Sequence, residues 1–421
     1  MRPSSHGLSI LLTRPIPRPH VAPAPAPATL VFAHQGRDWI RGSEQCLLDL
    51  VERLDRARFR PVVICNAPTL AREAERRGAR VALLPSWGTG PICPAPIRAQ
   101  VRALLRAHDA RLVHANMPEV LPAIVPAARA VRAPVVAHLH IPTSESERLH
   151  LLVHQTTVAV GVAEHVVAAL RTEGMPPDRV RVIPNAVDER RLASGDASGL
   201  RASLGIPPEA IVAASVGSLI RRKGHDVSLR ALAAARATGA DVRLLVCGDG
   251  EEDAALRALA SELGVSQYAH FLGLRPDVGA VLRDATDVYL SAARDEALPL
   301  NVLEAQWAGL PVVASDIPAH HEALVPGVTG VLVPGERADA FAEAVLALAA
   351  DPARQRAYGA AGRALVAERF SMTRYVGAFA ALYQELLAAP PATYGWARGT
   401  RWPRAYSRWL LRVAARRMGR R

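Results

Sequence analysis

Short, wholly apolar runs that alternate with helix-period segments constrain this chain more than any other feature. TLVFAH (29–34), RPVVICN (60–66), RLVHAN (111–116) and APVVAHLH (133–140) carry almost no polar residue before their last position. Strands of that kind belong to parallel sheets covered by helices on both faces, since a sheet with one wet face would alternate. Between them lie SEQCLLDLVERLDRA, LAREAERRGARV and IRAQVRALLRAHDA, which read as helices. Strand, turn and helix in strict alternation predict an α/β fold with a doubly wound parallel sheet. The pattern restarts after the Gly/Pro-rich stretch 195–210, with IVAASVGSL (211–219) and DVRLLVCGDG (241–250). At 421 residues the chain outgrows one core, so the expectation is two such domains, 30–194 and 195–370. FSMTRYVGAFAALYQELL supplies a last helix within 371–389. Residues 1–29 contain PRPHVAPAPAPA, a tract that continues neither helix nor sheet and is set aside as extended or disordered.

Charge needs to be placed before it is interpreted. The net +12 suggests a nucleic-acid partner, but residues 390–421 hold nine arginines and no acid, which leaves the body close to balance. Aromatic residues make up only 5%, too few for base-stacking platforms, so no nucleic acid is expected. The tail combines Trp396, Trp402 and Trp409 with arginine at roughly helical spacing from Arg404. It reads either as an interfacial helix on an anionic membrane surface or as a solvated tail. Each arginine near such a surface contributes about 1 kcal/mol. Cys46, Cys65, Cys93 and Cys247 are scattered without a C-x2-C pair, which fits free thiols in a reducing compartment. No run of about 18 apolar residues exists to span a bilayer, and GLSILLT (7–13) lacks the flanks of a signal peptide. The expected location is cytoplasmic, peripheral at the inner face of the membrane if the tail binds it.

Lys223 is the only lysine among 51 basic side chains. It lies in SVGSLIRRKGHD (215–226), after a buried strand and before the helix that begins near Asp226. A compact ammonium beside a positive helix N-terminus is a natural phosphate site, although one lysine in an arginine-rich chain can also arise by chance. Downstream, SAARDEALPLNVLEAQWAGLPVVA (291–314) sets Glu296 in a loop and Glu304 near the first turn of a helix expected at 302–308. Glutamate is costly to bury without hydrogen bonds, so two of them around an apolar segment suggest acceptors for ligand hydroxyls. Three histidines end strands at the ligand-facing edge: His114, His138 and His140. Function is favoured for His140 and a structural role for the other two. No HExxH spacing marks a metal site.

Taken together, Ser218-x4-Lys223-Gly224 and Glu296-x7-Glu304 within EALPLNVLEAQWAGLPVVASD resemble the retaining GT-B glycosyltransferases of family 4. The resemblance spans about residues 30–388 and implies two Rossmann-like domains facing a cleft, with a last helix that crosses back to the first. It implies a nucleoside diphosphate sugar as donor, an unidentified acceptor (lipid-linked or an envelope glycan), and no cofactor or metal. By the same resemblance Lys223 meets the leaving diphosphate, Glu296 the donor-sugar hydroxyls and Glu304 the ribose. The backbone at Ala297–Asn301, including Leu300 and Asn301, lies near sugar and phosphate, and His140 contacts the donor sugar. Gly42 opens the first glycine-rich loop, with Ser43 as helix cap, though an ordinary strand–helix turn reads the same way. VIPNAVD (182–188) resembles the interdomain junction; Asp188 is read as structural and Asn185 is open. Four positions depart from the family pattern: Arg41 stands for a glycine, Ala163 for a serine, Ser218 for the arginine that pairs with the lysine, and Ala297 for a frequent glycine. Arg222 or Arg221 is the expected substitute for that arginine. A sugar-nucleotide 2-epimerase and a degenerate nucleotide-sugar-binding module share this architecture; Lys223 with both glutamates intact favours transfer.

Overall fold

A computed structural model describes residues 26–88, 93–389 and position 407. The basic tail and most of the N-terminal Pro/Ala tract lie outside these residues. Seven strands form the first sheet: β1 (Ala28–His34), β2 (Phe59–Cys65), β3 (Arg80–Leu83), β4 (Leu112–Ala115), β5 (Val135–Leu139), β6 (Val158–Gly161) and β7 (Val180–Val182). Their spatial order is β3-β2-β1-β4-β5-β6-β7. Six more form the second: β8 (Ile211–Val216), β9 (Val242–Cys247), β10 (Ala269–Gly273), β11 (Val288–Ser291), β12 (Val312–Ser315) and β13 (Gly330–Val333). Their order is β10-β9-β8-β11-β12-β13. Every pairing is parallel. The expected doubly wound architecture is therefore present twice. β1 starts two residues before the expected domain edge at 30.

The apolar runs explain the layers. β4, β5, β6, β11 and β12 are buried at every position, so helices must cover both faces of each sheet. Strand order reverses between β1 and β4 and between β8 and β11. Loops leaving the carboxyl ends of two such neighbours diverge and open a crevice, which is where open α/β sheets bind ligands. In this chain those loops are the ones that carry Gly42, Lys223 and Glu296.

The last helix, Met372–Ala388, crosses back to the first domain as expected. Its buried face of Tyr375, Phe379, Leu382, Tyr383 and Leu386 joins the core beneath β1, β2 and the helix Gly42–Arg53. The Tyr383 hydroxyl shares a 2.7 Å hydrogen bond with His114 Nδ1, and the Tyr375 hydroxyl donates to the Cys46 carbonyl at 3.3 Å. Phe379 packs 5.2 Å from the His114 ring and 5.1 Å from the His138 ring. His114 and His138 thus belong to the docking of this helix, in line with their structural reading. All four cysteines are free and buried. Among the described residues no helix is long and apolar enough to cross a membrane.

Candidate active site

The second domain builds the charged half of the crevice from two loops. After β8, Gly217 has φ +144°, and a Cβ there would lie 3.4 Å from Lys223 Cε. The chain then makes a short turn over Arg221–Lys223 that closes on Gly224 at φ +67°. A Cβ on Gly224 would come within 1.9 Å of the Ala292 carbonyl oxygen, so the turn is pressed against the residue that follows β11. That contact sets Lys223 beside the β11 loop, where its ammonium pairs with Glu296 Oε1. Arg222 Nη1 binds Glu296 Oε2 at 2.8 Å and the Asp295 carbonyl at 2.7 Å. Burial to 8% exposure would raise the Glu296 carboxyl, but Lys223 and then Arg222 outweigh it and hold it below its ordinary value. Arg294 pins the two loops from behind, bonding Asp226 at 2.8 Å, Glu336 at 2.6 Å and the Arg221 carbonyl at 2.7 Å. Among the described residues the amides of Ala297 and Leu298 have no protein acceptor and remain available as donors.

The helix after this loop runs Leu300–Trp307 and starts two residues earlier than expected, so Glu304 falls in its second turn rather than its first. Asn301, in its first turn, anchors it: Oδ1 accepts from the Val302 amide at 3.0 Å, and Nδ2 donates to the Val216 carbonyl at 2.6 Å. Glu304 pairs with Arg191 at 2.8 Å. Burial would lower the Arg191 pKa, and Glu304, Asp49 and Asp188 overcome it to raise it. Asp188 caps the helix Glu189–Ala193 through the Arg190 amide at 3.2 Å and pairs with Arg53 at 2.9 Å. Asn185 is buried, and among the described residues its Oδ1 has no partner.

The first domain supplies the opposite wall. The helix Gly42–Arg53 does not use Ser43 as its cap: it begins at Gly42, and Glu44 accepts from the Arg41 amide at 3.1 Å. Ser43 instead offers its carbonyl to Asn116 Nδ2 at 3.2 Å. A Cβ on Gly42 would meet only Leu300 Cδ1, at 3.7 Å, so the loop faces the second domain there with room to spare. Asn116, just past β4, joins His34 at 3.1 Å and His140 Nε2 at 3.3 Å, while His34 meets Glu44 at 3.1 Å. Burial, then the neighbouring His34, push His140 down to about 4, so its imidazole is neutral. A neutral ring can hydrogen-bond a hydroxyl in either direction.

The structure therefore joins Lys223, Arg222 and Glu296 in one cluster, with Asn301 and Leu300 beside it and Gly42 across from Leu300. His140 sits in a separate network on the first-domain wall. Ser218 stands apart from the expectation for its position: neither Arg221 nor Arg222 reaches it in place of an arginine. Its hydroxyl instead accepts a hydrogen bond from Arg41 of the first domain. Among the described residues no group of three or more His, Cys, Asp or Glu is placed to hold a metal ion.

With this geometry in place, known proteins supply a frame. Residues 40–191 match the family model Glycosyltransferase Family 4, and residues 197–365 match Glycosyl transferases group 1. The two matches follow one another along the chain, one over each of its domains. Its match to a D-inositol 3-phosphate glycosyltransferase of Saccharomonospora viridis is 36% identical over 224 residues, 51% of this chain and 52% of that protein. A GDP-mannose-dependent monoacylated alpha-(1-6)-phosphatidylinositol monomannoside mannosyltransferase of Corynebacterium glutamicum is 34% identical over 201 residues, 45% of this chain and 52% of that one. The chain spans about half the length of the curated relatives it matches. Anabaena Alr3699/HepE in complex with UDP and glucose superposes with a TM-score of 0.75 at 22% identity, over 85% of this chain and all of that one. That likeness establishes the GT-B fold of this chain and says nothing of its substrates.

Sequence reasoning missed the pairs that bridge the two domains, Arg191 with Glu304 among them. Another replaces the serine absent at Ala163. The helix Glu164–Thr172 has no side-chain cap of its own, and Glu322 of the second domain accepts from the Glu164 and His165 amides at 2.7 and 3.0 Å. His165 Nδ1 meets Glu322 at 2.6 Å, while Nε2 faces the Glu296 carbonyl at 3.2 Å. Hydrogen bonding to Glu322 raises the His165 pKa against the opposing effect of burial, with Asp295 adding a smaller pull. Burial would raise Glu322, and His165 with the two amides brings it below its ordinary value. The His165 contribution is full below the unfolded histidine value near about 6.5 and is lost as pH rises through the raised folded value. The Glu322 contribution is full above about 4.3 and is lost as pH falls through the depressed value. In His165→Gln the gap in thermal midpoint from wild type should be widest between those limits and close at alkaline pH. A gap that does not vary with pH would remove the ionic part of this latch.

Proposed function

We propose that this chain is a retaining glycosyltransferase that moves a sugar from a nucleoside diphosphate sugar to a hydroxyl acceptor. The observation that carries this reading is the Lys223–Glu296–Arg222 cluster at the strand-order reversal of the second domain. As the glycosidic bond to the donor phosphate lengthens, negative charge builds on the departing diphosphate. An ammonium already in place stabilises that charge more than it stabilises the ground state. Lys223 has three donors, so one can hold Glu296 while others meet phosphate oxygens. Glu296, kept ionised, accepts from donor-sugar hydroxyls, and Glu304 takes the ribose hydroxyls. The free amides of Ala297 and Leu298 serve the sugar and phosphate, and His140 contacts the sugar from the first-domain wall. The leaving phosphate itself serves as base toward the acceptor, so no protein nucleophile is assigned and no divalent metal is required. The acceptor is a polyol phosphate, glycan or lipid-linked hydroxyl, a class supported by the names of the relatives in Saccharomonospora and Corynebacterium. The stretch 396–421 would hold the enzyme at an anionic membrane surface.

A thermal-shift panel of UDP-, GDP- and ADP-sugars in EDTA tests the donor half. A ligand at 100 times its dissociation constant adds about 2.7 kcal/mol, enough to move the midpoint visibly. One nucleotide should stabilise selectively without metal, and the product's anomeric proton should match the donor's configuration. Absence of stabilisation by all three would turn the reading toward a chain that does not handle nucleotide sugars.

A further inference from the structure

Arg41 lies on the first domain, yet its guanidinium rests on the second. Nη1 donates to Ser218 Oγ, and Nη2 pairs with Asp249 Oδ1 at 3.0 Å. Both partners belong to the wall that carries Lys223. Ser218 follows Gly217, the residue packed on the Lys223 stem. Asp249 is stacked beneath it, because Gly248 and Gly250 let their turn approach the Gly217 and Leu219 carbonyls where a Cβ would come within 1.9 and 2.3 Å. The Leu219 amide then donates to the Asp249 carbonyl at 2.7 Å. A fork-shaped cation from the first domain thus ends one residue from the loop that positions the single lysine.

Two of the other guanidiniums at this wall are occupied. Arg222 is tied to Glu296 and the Asp295 carbonyl, and Arg294 to Asp226 and Glu336. Arg41 is held more loosely. Its carboxylate partner Asp249 is 51% exposed, and an ion pair that open to water contributes little. Phosphate oxygens can displace such a carboxylate cheaply and offer the fork a bidentate, charge-assisted contact. The arm is pre-aimed as well: the guanidinium carbon lies 4.2 Å from the centre of the Trp39 ring, a cation–π contact that limits its wandering.

We propose that Arg41 is the second cation of the diphosphate site, reaching from the first domain to grip the donor beside Lys223, so that the site is complete only when the two domains meet. The inference rests on the nucleotide-sugar reading above and names the residue that fills the charge missing at Ser218.

Calorimetric titration of the full chain with UDP, GDP and ADP, and with uridine, guanosine and adenosine, tests it. For whichever diphosphate binds wild type, Arg41→Ala should weaken binding about 10- to 100-fold, the loss of one hydrogen-bonded charge, and leave the matching nucleoside unaffected. Moving the charge back in Arg41→Ala/Ser218→Arg should recover most of that loss. Undiminished diphosphate affinity in Arg41→Ala, an equal loss for the nucleoside, or the loss appearing in Arg221→Ala instead would overturn the assignment of Arg41 alone. If wild type binds none of the three diphosphates, the donor reading itself fails.

Discussion

Lys223→Met should lower kcat by about 10²- to 10³-fold while the donor KM changes far less, because the charge it removes matters most as the leaving group departs. Methionine keeps most of the stem that packs on Gly217, so the turn should survive. Glu296 would keep Arg222 as its partner but lose the stronger of the two influences that hold its carboxyl down. Its pKa should therefore climb as burial reasserts itself, and residual activity should fall off at a higher pH on the acid side than in wild type. Lys223→Arg should not restore the rate, since a planar fork on a longer arm cannot hold Glu296 and a phosphate from the same point. Steady-state kinetics over a pH series would read both effects. A Lys223→Met enzyme with wild-type kcat would remove the lysine from the chemistry and with it the central element of the proposed site.

Why this lysine was legible while other parts of the site were not has a physical basis. Nine of the thirteen strands among the described residues are largely buried runs, so hydrophobic pattern alone separates those from the helices, while β3, β7, β10 and β13 are less buried. Once the sheet order is doubly wound, the loops after β8 and β11 must be neighbours, and Lys223 and Glu296 lie in those two loops. Local pattern and topology together brought them within reach. Arg41 with Ser218, Arg191 with Glu304, and Glu322 with the uncapped helix at Ala163 belong to a different kind of contact. Each joins residues more than a hundred positions apart across two domains, and no periodicity or turn chemistry encodes such a pairing. The clue available was negative: positions where the chain departs from the family pattern it resembles. Two of these, Ser218 and Arg41, answer each other, and Ala163 is answered by Glu322. The expected Ser43 cap failed for a local reason, since Glu44 sits one turn into the helix and can reach back to the Arg41 amide, closing the helix end first.

Gly224→Ala should destabilise the second domain strongly for so small a substitution. Gly224 lies at φ +67°, where an L side chain costs about 1–2 kcal/mol. Its added methyl would also collide with the Ala292 carbonyl at 1.9 Å, backbone against backbone, with no flexible side chain to yield. Overpacking of that sort adds about 1–3 kcal/mol. The sum, about 2–5 kcal/mol, should lower the thermal midpoint of the second domain by about 5–15 °C. Gly239 provides the matched control: at φ +90° with nothing within 4 Å of an added Cβ, Gly239→Ala carries the backbone strain without the collision. Its midpoint should fall by only a few degrees. The two substitutions should also part in activity. Relief at position 224 requires the Lys223 turn to move away from the loop that bears Glu296, so kcat should drop even where the protein stays folded. Gly239, at the far end of the helix His225–Ala237, should leave kcat unchanged. Equal midpoints for the two variants would mean that the Lys223 turn is not pressed against β11, and the positional argument for the lysine would lose its footing.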